Sequence, residues 1–117
     1  MLAAIAVSGL ACGDDFDPED AVTISQGVFG MTTYVGDVCS VGCESEPRSM
    51  PLLVRARPQD SEVASVKSDG DGFYEVALEP GDYRICTTFE RCTDFSVGSS
   101  ERVRLDYEMS VGPGWSR

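Results

Sequence analysis

The sequence predicts an all-β protein: a single sandwich of seven to eight strands behind a short disordered N-terminal tether. Three observations carry that prediction. From Val22 onward no segment longer than ten residues keeps a helical period, and short stretches alternate apolar with polar residues instead. Gly, Pro, Asp and Ser separate those stretches, as turns between short strands require. The chain has 117 residues, room for one ordinary domain.

The first twelve residues, MLAAIAVSGLAC, carry no charge and are mostly small or apolar. They are too few to span a bilayer, which takes about 20. They do suit the apolar region of an export signal, so residues 1–11 are read as a signal peptide. The usual basic start is absent, which leaves room for a start codon further upstream. The ending Gly9-Leu10-Ala11-Cys12 resembles a bacterial lipobox, although the leucine sits one place late. That resemblance implies cleavage before Cys12 and acylation of its thiol and new amino group. The alternative is an ordinary cleaved signal and a spare cysteine. Residues 12–21 follow as an acidic tether: GDDFDPED holds five acids, one proline and one aromatic, too little apolar surface to fold.

Candidate strands then run 22–25, 27–35, 51–57, 62–68, 73–79, 82–88, 92–97 and 101–109, within a domain of residues 22–110 and before a tail of 111–117. In 101–109, Val103, Leu105, Tyr107 and Met109 share one face and Arg102, Arg104, Asp106 and Glu108 the other. In 51–57, Leu52, Val54 and Ala56 point inward, opposite Arg55 and Arg57. These faces form a core and call for no cofactor.

Composition removes several functions. Nine basic and twenty acidic residues give a net charge of −11, which disfavours nucleic acid. Histidine is absent, and with it the commonest general base, the serine and cysteine triads and imidazole metal ligation. Asparagine is absent too, so there is no N-x-Ser/Thr glycan acceptor. The chain is read as non-enzymatic and without a cofactor.

Setting Cys12 aside for lipid leaves Cys39, Cys43, Cys86 and Cys92, which in an exported domain read as two disulfides. A four-thiolate zinc site is the rival, but neither C-x3-C nor C-x5-C is a standard zinc knuckle. The strands 82–88 and 92–97 sharpen the pairing. With Tyr83, Ile85, Phe95 and Val97 inward, Cys86 and Cys92 both point outward. Folding about Thr87–Arg91 sets 86 opposite 92, 85 opposite 93 and 83 opposite 95, at the cross-strand distance a disulfide wants. Cys86–Cys92 is therefore preferred, with Cys39–Cys43 by elimination; a crossed pairing stays open.

The stretch from Ser68-Asp69-Gly70-Asp71-Gly72-Phe73-Tyr74 through Pro80-Gly81-Asp82-Tyr83-Arg84-Ile85 resembles the hairpin of carboxypeptidase regulatory-like domains, which belong to the prealbumin-like (transthyretin-like) sandwiches. GVFGMTTY, PLLVRARP and EVASVKS look like that family's first three strands, so the likeness covers about residues 26 to 109. It implies a prealbumin-like Greek-key sandwich and leaves function open, because the fold hosts many. Gly72 is expected at positive φ where its turn ends, and Pro80-Gly81 in the middle of a type II turn. Tyr74, Val76, Leu78 and Tyr83 are expected in the core. Hydroxyisourate hydrolases of that fold need histidines, as do metallocarboxypeptidase zinc sites, and Lys67 does not match an isopeptide-forming strand.

Asp69-Gly70-Asp71-Gly72 also resembles the start of a calcium loop. Counting from Asp69, the match ends after Asp71, since Phe73 and Pro80 fall where further ligands belong. A structural turn, starting a hairpin, is preferred; a weak site borrowing Glu75, Asp82 or Asp60 is the alternative. Two functions remain. One is a lipid-anchored structural or protein-interaction module of a bacterial envelope, on the outer membrane or facing the periplasm. The other is a secreted or anchored carbohydrate- or peptide-binding module using Phe73, Phe89 and Trp115.

Overall fold

A computed structural model describes residues 16–35, 46–109 and 114–116. The alternating stretches form β1 (Gly27–Tyr34), β2 (Glu46–Pro47), β3 (Pro51–Ala56), β4 (Ser61–Lys67), β5 (Phe73–Ala77), β6 (Gly81–Thr87), β7 (Cys92–Val97), β8 (Arg102–Arg104), β9 (Asp106–Met109) and β10 (Trp115–Ser116). One helical turn, α1 (Pro18–Ala21), precedes them. The strands make two sheets, and the protein is an all-β sandwich. One sheet is antiparallel throughout, in the order β4-β3-β6-β7. The other is built around β1, which pairs antiparallel with β5 and β2 on one side and parallel with β8 and β9 on the other. β10 adds to β9.

The inward faces meet in one core that includes Val28, Leu52, Val54, Tyr74, Val76, Leu78, Tyr83, Ile85, Phe95, Val103, Leu105 and Tyr107. These are the residues that strand alternation turns inward. Burying each large side chain contributes about 1.5–3 kcal/mol, the main force holding the two layers together.

The segment 101–109 runs as two strands with an unbroken register, Phe29 facing Arg104 and Thr32 facing Tyr107. The interruption falls at Leu105, whose carbonyl accepts the hydroxyl proton of buried Tyr74 (2.5 Å). Opposite it, the Met31 N–H donates to Asp106 Oδ1 (3.0 Å). Backbone packs so close here that a Cβ on Gly30 would run into the Leu105 carbonyl oxygen. Only glycine fits that place.

Several expected local structures differ. The turn at Asp69–Gly72 joins β4 of one sheet to β5 of the other, so it is an arch between layers and starts no hairpin. Pro80-Gly81 lies in the return arch from β5 to β6. Gly81 is the first residue of β6 with φ 159°, near extended, which a type II turn does not allow. The arch is held instead by Tyr83, whose hydroxyl donates to the Glu79 carbonyl (2.5 Å). Gly72 does take a positive φ of 81°.

Residues 22–25 form no strand. Of the tether expected at 12–21, the described part, 16–21, lies folded on the β1 sheet. Asp17 caps α1 by accepting the Glu19 N–H (2.9 Å), and Pro18, suited to a first helical position, is buried. Likewise, of the tail expected at 111–117, Trp115 and Ser116 join the sheet as β10.

Candidate functional site

Two features stand out around the sandwich: a strap along its β1 sheet and a loop closed by a disulfide. The strap is Phe16–Gln26. Its Phe16 ring meets Phe73 edge-on at 5.7 Å. Glu19 pairs with Arg104 at 3.4 Å. Further on, the Thr23 N–H and hydroxyl donate to the two Glu75 carboxylate oxygens (both 2.7 Å), and the Ile24 N–H reaches Glu75 at 3.2 Å. Glu75 and Arg104 flank Phe29 on the neighbouring strands. Phe29 is buried without belonging to the core cluster, between the Glu75 and Arg104 that hold the strap. Burial alone would raise the Glu75 pKa, but the hydrogen bonds from Thr23 and Ile24 outweigh it and hold the carboxyl below its ordinary range.

The loop joins β6 to β7. Cys86 stands opposite Cys92, Ile85 opposite Thr93 and Tyr83 opposite Phe95, the pairing the alternation predicts. Cys86 and Cys92 form a disulfide with Cα atoms 4.1 Å apart. Cys86 does lie on the outer face, but it is only 1% exposed. Leu53 pairs beside it and Arg55 Nη1 comes within 3.6 Å of its sulfur, so the Cys86 half of the bond is covered while Cys92 is exposed. Within the loop, the Thr87 N–H donates to the Arg91 carbonyl and the Glu90 N–H to the Thr87 carbonyl (both 3.0 Å). The Thr87 hydroxyl accepts from the Phe89 and Arg91 amides (both 3.3 Å). At its tip Phe89 is 68% exposed.

The three aromatics considered for binding thus have different fates. Phe89 is free at a loop tip. Phe73 is half-buried under Phe16. Trp115 packs at a tilt against Tyr107, ring centroids 5.0 Å apart, and donates its indole N–H to the Arg91 carbonyl (3.0 Å), tying β10 to the Phe89 loop.

The candidate calcium residues do not converge. Asp69 Oδ1 accepts the Asp71 and Phe73 amides (2.9 and 3.0 Å), so this carboxylate serves the arch itself. Glu75 is committed to the strap. Asp60 and Asp69 flank opposite ends of β4, a seven-residue strand, on the order of 23 Å apart at a strand's rise. Asp82 is near the Asp60 end, accepting the Ser96 hydroxyl proton at 2.6 Å. Among the described residues, the one grouping of potential metal ligands is Cys86, Glu90 and Cys92, and its thiols are joined in the disulfide. Cys12, Cys39 and Cys43 lie outside the described residues.

A concavity of about 690 Å³ opens at the far end of the sandwich between Arg57, Asp82, Tyr83, Asp94, Ser96 and Glu101. Its polar groups are turned on one another. Arg84 grips Asp94 through two contacts (2.7 and 3.3 Å), and Glu101 accepts the Gly98 N–H (2.7 Å). That hydrogen bond from Arg84 holds Asp94 below the ordinary carboxylate range. A smaller apolar cleft of about 280 Å³ runs beside the disulfide, past Pro51, Leu53 and Thr87.

Sequence reasoning missed the strap and the role of Glu75. The available signal was Phe16 and Pro18 inside an otherwise acidic run. No family model matches this chain, and no curated protein is similar to it. Among the described residues no helix is long and apolar enough to cross a membrane.

Proposed function

We propose that this protein is a lipid-anchored, non-enzymatic module of a bacterial cell envelope, with a structural or protein-interaction role. Its sandwich is read as similar to carboxypeptidase regulatory-like domains. The observation that carries the proposal is the spacing at the N-terminus. A run of small and apolar residues ends at Cys12, and only four residues further on Phe16 packs against Phe73 of the sandwich. Acylation of Cys12 would fasten a rigid domain to a bilayer, several acyl chains on one residue giving stable attachment. The charge of −11 speaks against nucleic acid as a partner.

Globomycin, which blocks the lipoprotein signal peptidase, is expected to leave an uncleaved precursor, and Cys12→Ala to release the protein from the membrane fraction. Unchanged membrane attachment of Cys12→Ala would sink the reading. A second reading, a carbohydrate- or peptide-binding module, is favoured by the exposure of Phe89. A glycan array and an envelope pulldown, each repeated with Phe89→Ala, separate it from the first.

A further inference from the structure

We propose that the end of the sandwich carrying Phe16 and the Phe89 loop rests on the surface of the bilayer holding the Cys12 anchor. The inference builds on the lipid-anchored reading. Only Gly13, Asp14 and Asp15 separate Cys12 from Phe16. Four Cα steps span at most about 14 Å, so the domain cannot stand far off the membrane. Phe16, itself 37% exposed, borders a cleft shared with Tyr107 and Ser116. The neighbour of Ser116, Trp115, is bonded to the Arg91 carbonyl in the Phe89 loop. The anchored end of the strap and the exposed phenylalanine therefore sit at the same end of the molecule. Registers agree: Thr87 pairs with Leu52 at that end of the β3 sheet, whereas Ala56 pairs with Tyr83 at the other.

A single exposed apolar residue is ordinary on a protein surface. What distinguishes Phe89 is that its loop is locked in place by four hydrogen bonds with a disulfide at its base. The fold holds the ring out to solvent on a stiff support, at the end where lipid must be near. Aromatic rings at such a boundary place their apolar body among the acyl chains and headgroups. Among the described residues of this end the charges nearly balance, Asp17, Asp69, Asp71 and Glu90 against Arg48, Lys67 and Arg91, so a zwitterionic surface meets no strong repulsion.

The test uses the acylated full-length chain in phosphatidylcholine vesicles with brominated acyl chains, which quench nearby tryptophan. Trp115→Phe removes the native tryptophan. In that background one variant carries Phe89→Trp at the loop tip and another Gln59→Trp at the opposite end. Quenching several-fold stronger at position 89 than at 59 is the expected result. Equal, weak quenching at both positions in vesicle-bound protein overturns the docking and leaves the anchor standing. Flotation with vesicles that persists undiminished in Cys12→Ala overturns the anchor instead.

Discussion

Ser68 continues the inward series of Ala64 and Val66, yet it carries a hydroxyl into the interior. It works there with Thr32, which holds an inward place in β1. Thr32 Oγ1 lies 2.5 Å from the Arg48 carbonyl and 2.6 Å from Ser68 Oγ. Each hydroxyl has one proton. If Thr32 gives its proton to the Arg48 carbonyl, Ser68 gives its own to Thr32 and is left to accept the Met50 N–H (2.8 Å). The pair thereby fastens the strand-like segment 48–50 to β1 and to the Asp69–Gly72 arch. Ser68→Ala would strand the Met50 amide and should cost about 1–3 kcal/mol in a urea titration, while exposed Ser65→Ala should be nearly neutral. The anomaly of a polar residue at an inward position is visible in the sequence. Its partners, 18 and 36 residues away, are not, because strand parity fixes a side chain's face and says nothing of what meets it there.

At the scale of elements, strand faces and the Cys86–Cys92 register follow from alternation alone. Both are local: a period of two sets the face, and a short loop fixes which residues oppose each other. Whether a short loop makes a hairpin or an arch does not follow. Asp69–Gly72 and Pro80-Gly81 have turn chemistry as good as that of 88–91, but only the last joins paired neighbours. Pairing depends on which edge the next strand finds, and for β5 that edge is β1, some 45 residues earlier in the chain. The disulfide closes a loop across a separation of six residues. Its removal in Cys86→Ala/Cys92→Ala should therefore lower stability by about 2–3 kcal/mol through loop entropy. A fall in the denaturant midpoint checks this, and fast hydrogen exchange at Phe89 and Arg91 should accompany it.

For the molecule as a whole, the strap decides what the outer face of the β1 sheet presents. Its attachment depends on ionised Glu75. A carboxylate held below its ordinary pKa contributes stability that is complete above about 4.3, the unfolded value, and is lost as pH falls through the lower folded value. Amides of Thr23 and Ile24, corrected for intrinsic rate, should thus exchange faster near pH 3 than near pH 6, and Glu75→Gln should remove that dependence. Asp94, held low by Arg84 on the other sheet, gives a global pH response of the same sign, so the local amides are the readout. By itself the sequence determined the class of fold, the inward faces and the disulfide between β6 and β7, because each rests on the two-residue period of a strand or on one short loop. Tertiary structure alone decided that residues 16–26 fold back as a strap, that two turns cross between sheets, and that Phe89 stays exposed while Phe73 and Trp115 are covered. Those outcomes depend on bonds such as Thr23 to Glu75, 52 residues apart, which exist only once the sheets have closed.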